Sequence, residues 1–340
     1  MTRWAAEVSP ENAWQSYPRP QMARPAWRNL NGLWDYAIAP VEMEMVLEYS
    51  GQILVPFPIE SALSGVKRAL QPAERLWYRR GFALPKEWHG QRVLLHIGAA
   101  DWQTDAWLNG HWLGKHQGGY LPFQFELTAH LQAGENELVI AVWDPTDTHW
   151  QARGKQVLHP RGIWYTAVSG IWQTVWLEAV PETHIAGLKI TPELDSGAVR
   201  VQARLDGPEA EYLPVRVAVL AAGMPVVRGE GAAGQTLRLA IPNPRPWNPD
   251  DPYLYDLVVE AGADRVESYF GMRKFSLGKD AQGRAHLCLN NQPLFQYGPL
   301  DQGYWPDGLY TAPSDEALKA DVAFAKRIGL NGLRKHIKVE

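Results

Sequence analysis

The sequence holds a single cysteine, Cys288, among 340 residues, which excludes an internal disulfide framework and a cysteine-based zinc site. Flanked by Leu287 and Leu289, it is expected as a small buried strand residue. Charge of neither sign accumulates: 33 Lys and Arg against 37 Asp and Glu leave a net charge of −4. Nothing electrostatic therefore points to nucleic acid or an anionic membrane as partner. No apolar run approaches the ~18 residues of a membrane span. The opening MTRWAAEVSPENAWQS lacks the apolar core of a secretory signal, so a soluble, cytoplasmic protein is expected. His149, His159 and His184 have neither helical i,i+4 spacing nor cysteine neighbours, so no metal site is expected. A Gly-rich phosphate loop is missing as well.

What the chain has in excess is tryptophan, 16 residues, with 13 tyrosines beside it. Most of these rings are expected in the core, but an indole also stacks on a pyranose while its N–H donates a hydrogen bond. Residues 1–180 read as short strands separated by Gly, Pro and Asn, the pattern of a jelly-roll β-sandwich. Val93–Ile97, Leu138–Trp143 and Ile171–Leu177 are apolar strand runs. Asn109-Gly110, between Ala106-Trp107-Leu108 and Trp112-Leu113, is a strong hairpin signal because both turn positions take positive φ.

Residues 181–272 are poor in tryptophan and rich in valine. Val199, Val201, Ala203 and Leu205 alternate with polar residues, as do Val215, Val217 and Val219, and Leu237, Leu239 and Ile241. This period of two predicts a small immunoglobulin-like β-sandwich. The texture changes again in 273–340. Leu287-Cys288-Leu289, an Asn290-Asn291 turn and Leu294-Phe295-Gln296-Tyr297, then a loop with Asp301, Tyr304, Trp305 and Tyr310, a helix capped by Ser314 and ended by Gly329, and a strand over 331–337 predict a βαβ unit. The fold class is thus mainly β, with the truncated opening of a (β/α) barrel at its end. A full barrel takes roughly 250 residues.

Four segments in order resemble glycoside hydrolase family 2, the family of β-galactosidases, β-glucuronidases and β-mannosidases. TDAWLNGHWLGKHQGGYLPFQFEL (104–127) looks like the hairpin and Gly-Gly-Tyr-x-Pro-Phe turn of the sugar-binding domain. GIWYTAVSGIWQTVWLE (162–178) looks like its close. WNPDDPYLYDL (247–257) and FGMRKF (270–275) are similar to the end of the immunoglobulin-like domain and the crossing into the barrel. NGLRKHIK (331–338) occupies the place of the first barrel signature. The resemblance implies β-glycoside substrates, retaining hydrolysis by two later glutamates, and no organic cofactor. Neither glutamate has a counterpart here. Gly298–Trp305 replaces the family's Asn-Arg-His-Glu-like run, and Lys335-His336-Ile337 follows Arg334 where a small residue and His-Tyr are commoner.

Chemistry in a barrel sits at the C-terminal ends of its strands. Asp301 and Trp305 are expected to follow the first strand, Arg334 and His336 to lie on the second, and Glu340 just beyond. By likeness Arg334 orients a carboxylate, and Arg153, Lys155, Gln156, Trp164 and Tyr165 approach the same mouth, with Asp101 and Trp102 a further pair. Asp301 and Glu340 are the candidate catalytic carboxyls, since retaining hydrolysis needs two about 5–5.5 Å apart. The competing expectation is a carbohydrate-binding protein without turnover, or an inactive N-terminal piece of a longer glycosidase. An open strand edge and uncovered apolar helix face predict self-association through 286–340.

Overall fold

Asn109 and Gly110 sit in the left-handed region, at φ 51° and 80°, and join the antiparallel strands Gln103–Leu108 and His111–Gln117. The Asn109 carboxamide also donates to the His130 carbonyl and the Asn136 side chain, and accepts from the Glu137 amide. The turn residue thus fixes its own hairpin and the entry to the strand beside it.

The computed structural model describes residues 1–280 and 282–338. Strands dominate, and the chain forms two compact units. The larger comprises Met1–Pro18, Trp27–Ala179 and Gly298–Glu340. Its six-stranded antiparallel sheet runs in the order Gly51–Val55, Gly32–Pro40, Glu74–Ala83, Glu135–Trp143, Gln103–Leu108, His111–Gln117. A four-stranded sheet has Trp27–Asn29, Val175–Val180, Arg92–Ile97 and Phe123–Glu126. Along Glu135–Trp143 the period of two is visible: Asn136, Leu138, Ile140 and Val142 are buried while Glu135 and Glu137 are exposed. The opposite side of the same strand is covered by Trp77, stacked on Trp107 at 5.5 Å.

The smaller unit, Arg19–Ala26 and Val180–Tyr297, is built on two antiparallel sheets. One holds His184–Glu193, Ala198–Asp206 and Thr236–Ala240; the other Met224–Ala232, Pro214–Ala221, Tyr255–Ala261 and Asp264–Phe270. The alternating valines meet between them: Val199 and Val201 share one core with Val215, Val217, Val219, Leu257 and Val259. Arg24 and Asp264 form a buried ion pair at 2.7 Å, and Asp264 also accepts from the Ile185 amide.

The expected turn at Asn290-Asn291 forms, but residues 294–297 do not make the first strand of the parallel pair. Asn290 and Asn291 both adopt positive φ, 51° and 65°, which is the backbone of a tight hairpin. Ala285–Leu289 therefore pairs antiparallel with Phe275–Lys279 and with Gln292–Pro293. The parallel pair is made instead by Leu300–Asp301 and Arg334–Lys335, two residues each. Between them lies α1, Asp315–Arg327. The Ser314 hydroxyl caps it by accepting from the Ala317 amide, Asp315 and Glu316 fill the first turn, and Lys326 and Arg327 the last. Leu318, Val322, Phe324 and Ile328 on this helix are exposed. Among the described residues no helix is long and apolar enough to cross a membrane.

Candidate functional site

The centre of the larger unit is a cluster of phenols over a buried carboxyl. Asp101 ends the short strand Ala100–Asp101, paired with Gly170–Ile171, and is 2% exposed. Its Oδ2 accepts from Gln156 Nε2 at 2.9 Å, and Gln156 Oε1 in turn accepts from the Val168 amide at 2.6 Å. Gly119 lies flat against it: a Cβ there would come within 2.3 Å of Asp101 Oδ1. This is the physical reason for the second glycine of Gly-Gly-Tyr. Burial pushes the Asp101 carboxyl well above the usual carboxylate range, and Asp144 and Glu60 push it further.

Those two acids lie behind it. Asp144 Oδ2 accepts from the Ser169 hydroxyl at 2.7 Å, and Glu60 Oε2 from the Ser169 amide at 2.9 Å. Burial raises both carboxyls, Glu60 to about 8. One serine thus holds two acids whose carboxyls desolvation raises.

In front of Asp101 stands the aromatic cluster. Tyr120 Oη lies 3.5 Å from Tyr310 Oη. The Tyr310 ring is tilted against Tyr304 at 4.6 Å and Trp172 at 5.3 Å, and Tyr304 stacks on Tyr165 at 4.1 Å and 11°. Burial raises the phenols of Tyr120, Tyr304 and Tyr310. Gln302 Nε2 donates to Tyr165 Oη at 3.0 Å. Lys338 Nζ donates to the Tyr310 carbonyl at 2.7 Å and lies 5.0 Å from the centre of the Trp172 ring.

The segment carrying Tyr304 and Tyr310 is tied down along its length. The Thr311 hydroxyl donates to the carbonyls of Pro56 and Trp172. Thr2 donates its amide and hydroxyl to Asp307, and Trp14 Nε1 donates to the Ala312 carbonyl. Ile337 closes on Gly154, where a Cβ would meet it at 2.4 Å.

The match to family models fits this arrangement. Residues 40–181 match the sugar binding domain of glycosyl hydrolases family 2, and residues 183–273 match a second model of glycosyl hydrolases family 2. The chain belongs to glycosyl hydrolase family 2. A β-galactosidase of Psychromonas ingrahamii is 27% identical over 278 residues, covering 76% of this chain and 26% of that protein. A β-glucuronidase of Felis catus is 27% identical over 325 residues, covering 83% and 49%. The crystal structure of Ruminococcus gnavus β-glucuronidase superposes with a TM-score of 0.76 at 20% identity, over 95% of this chain and 56% of that one. The chain spans from a quarter to a half of the length of these curated relatives.

For this family 2 chain the structure gathers Asp101, Gln156 and Tyr165 into one cluster. Arg153, Gly154 and Lys155 precede Gln156, and the Lys155 carbonyl accepts from the Tyr165 amide. Arg153 Nε is buried without a hydrogen-bond partner among the described residues. Trp164 is 41% exposed. Trp305 turns away: it meets Trp4 edge-on at 6.1 Å, and its backbone is bridged to Leu309. Asp301 is on the parallel strand rather than after it. Its Oδ2 accepts from Lys335 Nζ at 2.8 Å and its Oδ1 from the Gly303 amide at 2.8 Å. Partial burial pushes the Asp301 carboxyl up, but Lys335 and Gly303 outweigh it and the net shift is down. Arg334 is exposed and His336 half-buried, its amide donating to the Asp301 carbonyl. Glu340 lies outside the described residues.

Asp307, a further carboxyl of this loop, is buried and engaged by Thr2. Sequence reasoning missed Glu60, Asp144, Tyr120, Trp172 and Lys338. The one local sign was an acid set in the apolar run Pro56-Phe57-Pro58-Ile59-Glu60. Among the described residues no group of three or more His, Cys, Asp or Glu side chains is placed to hold a metal ion.

Proposed function

We propose that this chain supplies the sugar-facing wall of a family 2 β-glycosidase, with β-galactosides or β-glucuronides as substrates. In this reading 1–180 is a jelly-roll sugar-binding domain, 181–272 an immunoglobulin-like sandwich and 273–340 the opening of a (β/α) barrel. The observation that carries the reading is the seam between 153–165 and 302–338. The Tyr165–Tyr304 stack and the Gln302–Tyr165 hydrogen bond bring the Asp101-Gln156 pair and the exposed Trp164 beside the C-terminal ends of two parallel strands. Those ends are where strand-to-loop junctions carry chemistry in barrels. Gln156 holds the buried Asp101 in place behind this mouth, while the exposed Trp164 with the half-buried Tyr165 and Tyr304 offers apolar surface to a pyranose.

The catalytic assignment in this reading is Asp301 with Glu340. Asp301 is held ionised by Lys335, which suits a nucleophile and not a proton donor. The test is hydrolysis of 4-nitrophenyl β-galactoside and β-glucuronide by the chain and by Asp301→Ala and Glu340→Ala, singly and together. Turnover that survives the double change rejects the pair.

A second reading, sugar binding without turnover, is favoured by the same clamp. Lys335 and Gly303 occupy both Asp301 oxygens, and an attacking carboxylate would have to shed them. Calorimetry showing sugar binding alongside rates no higher than buffer supports it. The reading also includes self-association through the exposed apolar side of α1, which a monomeric sedimentation profile at micromolar concentration would reject.

A further inference from the structure

The Asp101 cluster leaves one aromatic group unused. Trp150 is 88% exposed, in the loop that leads into Arg153–Gln156. Its ring is braced: it meets Trp102 edge-on, centroids 6.4 Å apart at 77°. Trp102 meets Trp143 in the same way at 6.1 Å and 75°. Trp143 is itself anchored, its Nε1 donating to the Pro72 carbonyl at 2.7 Å and its ring meeting His149 at 5.4 Å. An indole left in water gains nothing for folding, and three rings in series fix the outermost one in place. A fixed ring loses little conformational freedom when a ligand stacks on it.

The surroundings say which ligand. Trp102 directly follows Asp101, so the braced row starts at the buried carboxyl of the sugar site. The next residue, Gln103, accepts through its side-chain oxygen from Gln117 Nε2 at 2.9 Å. Gln117 is exposed and Gln103 half-buried. Carboxamides both donate and accept, as hydroxyl groups do, and an indole takes the C–H side of a pyranose. A site for an anion or a cation would call for opposite charge instead.

We propose that Trp150, braced through Trp102 and Trp143, with Gln103 next to Trp102 in the chain and Gln117 bonded to it, is a stacking platform for a further unit of a β-linked oligosaccharide. The first unit of that chain then lies at the exposed Trp164, beside the segment that carries Gln156. The substrate class is then an extended β-glycan rather than a small aglycone glycoside, and this rests on the sugar reading given above.

The test is calorimetry of the full chain with β-1,4-galacto-oligosaccharides and cello-oligosaccharides of one to five units, repeated on Trp150→Ala and Trp150→Phe. The expected result is tighter binding with length in the unaltered chain in at least one series. In Trp150→Ala that gain falls about fivefold or more, while affinity for the single sugar and the melting temperature stay unchanged and Trp150→Phe retains part of the gain. Affinity that does not depend on length, or that Trp150→Ala leaves intact at every length, overturns the platform while the sugar site stands. Length-dependent binding that Trp150→Ala abolishes, with no binding of single sugars or 4-nitrophenyl β-glycosides, upholds the platform and rejects the Asp101 reading. No binding in either series overturns the platform, and the sugar reading falls with it if 4-nitrophenyl β-galactoside and β-glucuronide also fail to bind.

Discussion

Replacing Glu60 by glutamine removes a proton-binding group from the interior and keeps its shape. In the folded chain burial raises this carboxyl from 4.5 to about 8, against the opposing hydrogen bonds from Ser169. A raised acid is bound to its proton in the folded state and has lost it in the unfolded state throughout that window. Its contribution to stability is therefore complete below about pH 4.5 and is lost progressively as pH rises to about 8. The slope is about 1.4 kcal/mol per pH unit while the proton is retained. Across the window from 4.5 to about 8 the ceiling is about 5 kcal/mol, and because Glu60 is only half-buried a loss of about 2 kcal/mol is the working expectation. Glutamine stays neutral, accepts from the Ser169 amide as Glu60 does, and gives up only the long contact with the Leu70 amide at 3.4 Å. Urea unfolding at pH 5, 6, 7 and 8 should show the unaltered chain falling towards Glu60→Gln as pH rises, with the variant the more stable by pH 8. Stability profiles that run parallel from pH 5 to 8, within about 0.5 kcal/mol, would refute the claim that Glu60 is held neutral.

Gly119→Ala drives a Cβ to within 2.3 Å of Asp101 and should cost on the order of 2–4 kcal/mol. The measurement is urea unfolding together with near-ultraviolet dichroism of Trp172, whose Nε1 bonds the Gly119 carbonyl. In the smaller unit, Arg24→Met leaves Asp264 buried without its partner and should destabilise by about 3–5 kcal/mol, with partial recovery when Asp264→Asn is added. Lys335→Met removes the donor to Asp301. Asp301 is then ionised less readily, and the exposed pair's contribution, under about 1 kcal/mol, is present at pH 7 and lost as pH falls below the usual aspartate range. A carbon-detected titration of Asp301 that does not move upward in Lys335→Met sinks this account.

Local periodicity carried what was legible in the chain. Val215, Val217 and Val219 announce a strand with one buried side because each contact they need lies two residues away along the same strand, and Asn109-Gly110 announces a hairpin because the turn is encoded in two adjacent residues. Asn290-Asn291 shows the limit of that logic. Its turn was readable, but not that both residues would take positive φ and fold Ala285–Leu289 back on itself, leaving the parallel pair to Leu300–Asp301 further on. The candidate site lies beyond local rules altogether. Asp101, Gln156, Tyr165 and Tyr304 meet only after the strands have brought together segments far apart in sequence, and each alone reads as an ordinary polar or aromatic residue. Glu60 and Asp144 were invisible for a stricter reason. An acid is expected in water, and the exception requires a partner that no spacing reveals, here Ser169, whose amide and hydroxyl serve one carboxyl each. Ser169 lies in the Val168-Ser169-Gly170-Ile171 run, inside the match to the family 2 sugar binding domain. Gly170, too, has no room for a side chain, since a Cβ there would fall 2.1 Å from Tyr78 Oη. That run reads as a strand end in sequence, yet in the folded chain it is the seat on which two acids with raised carboxyls rest behind Asp101.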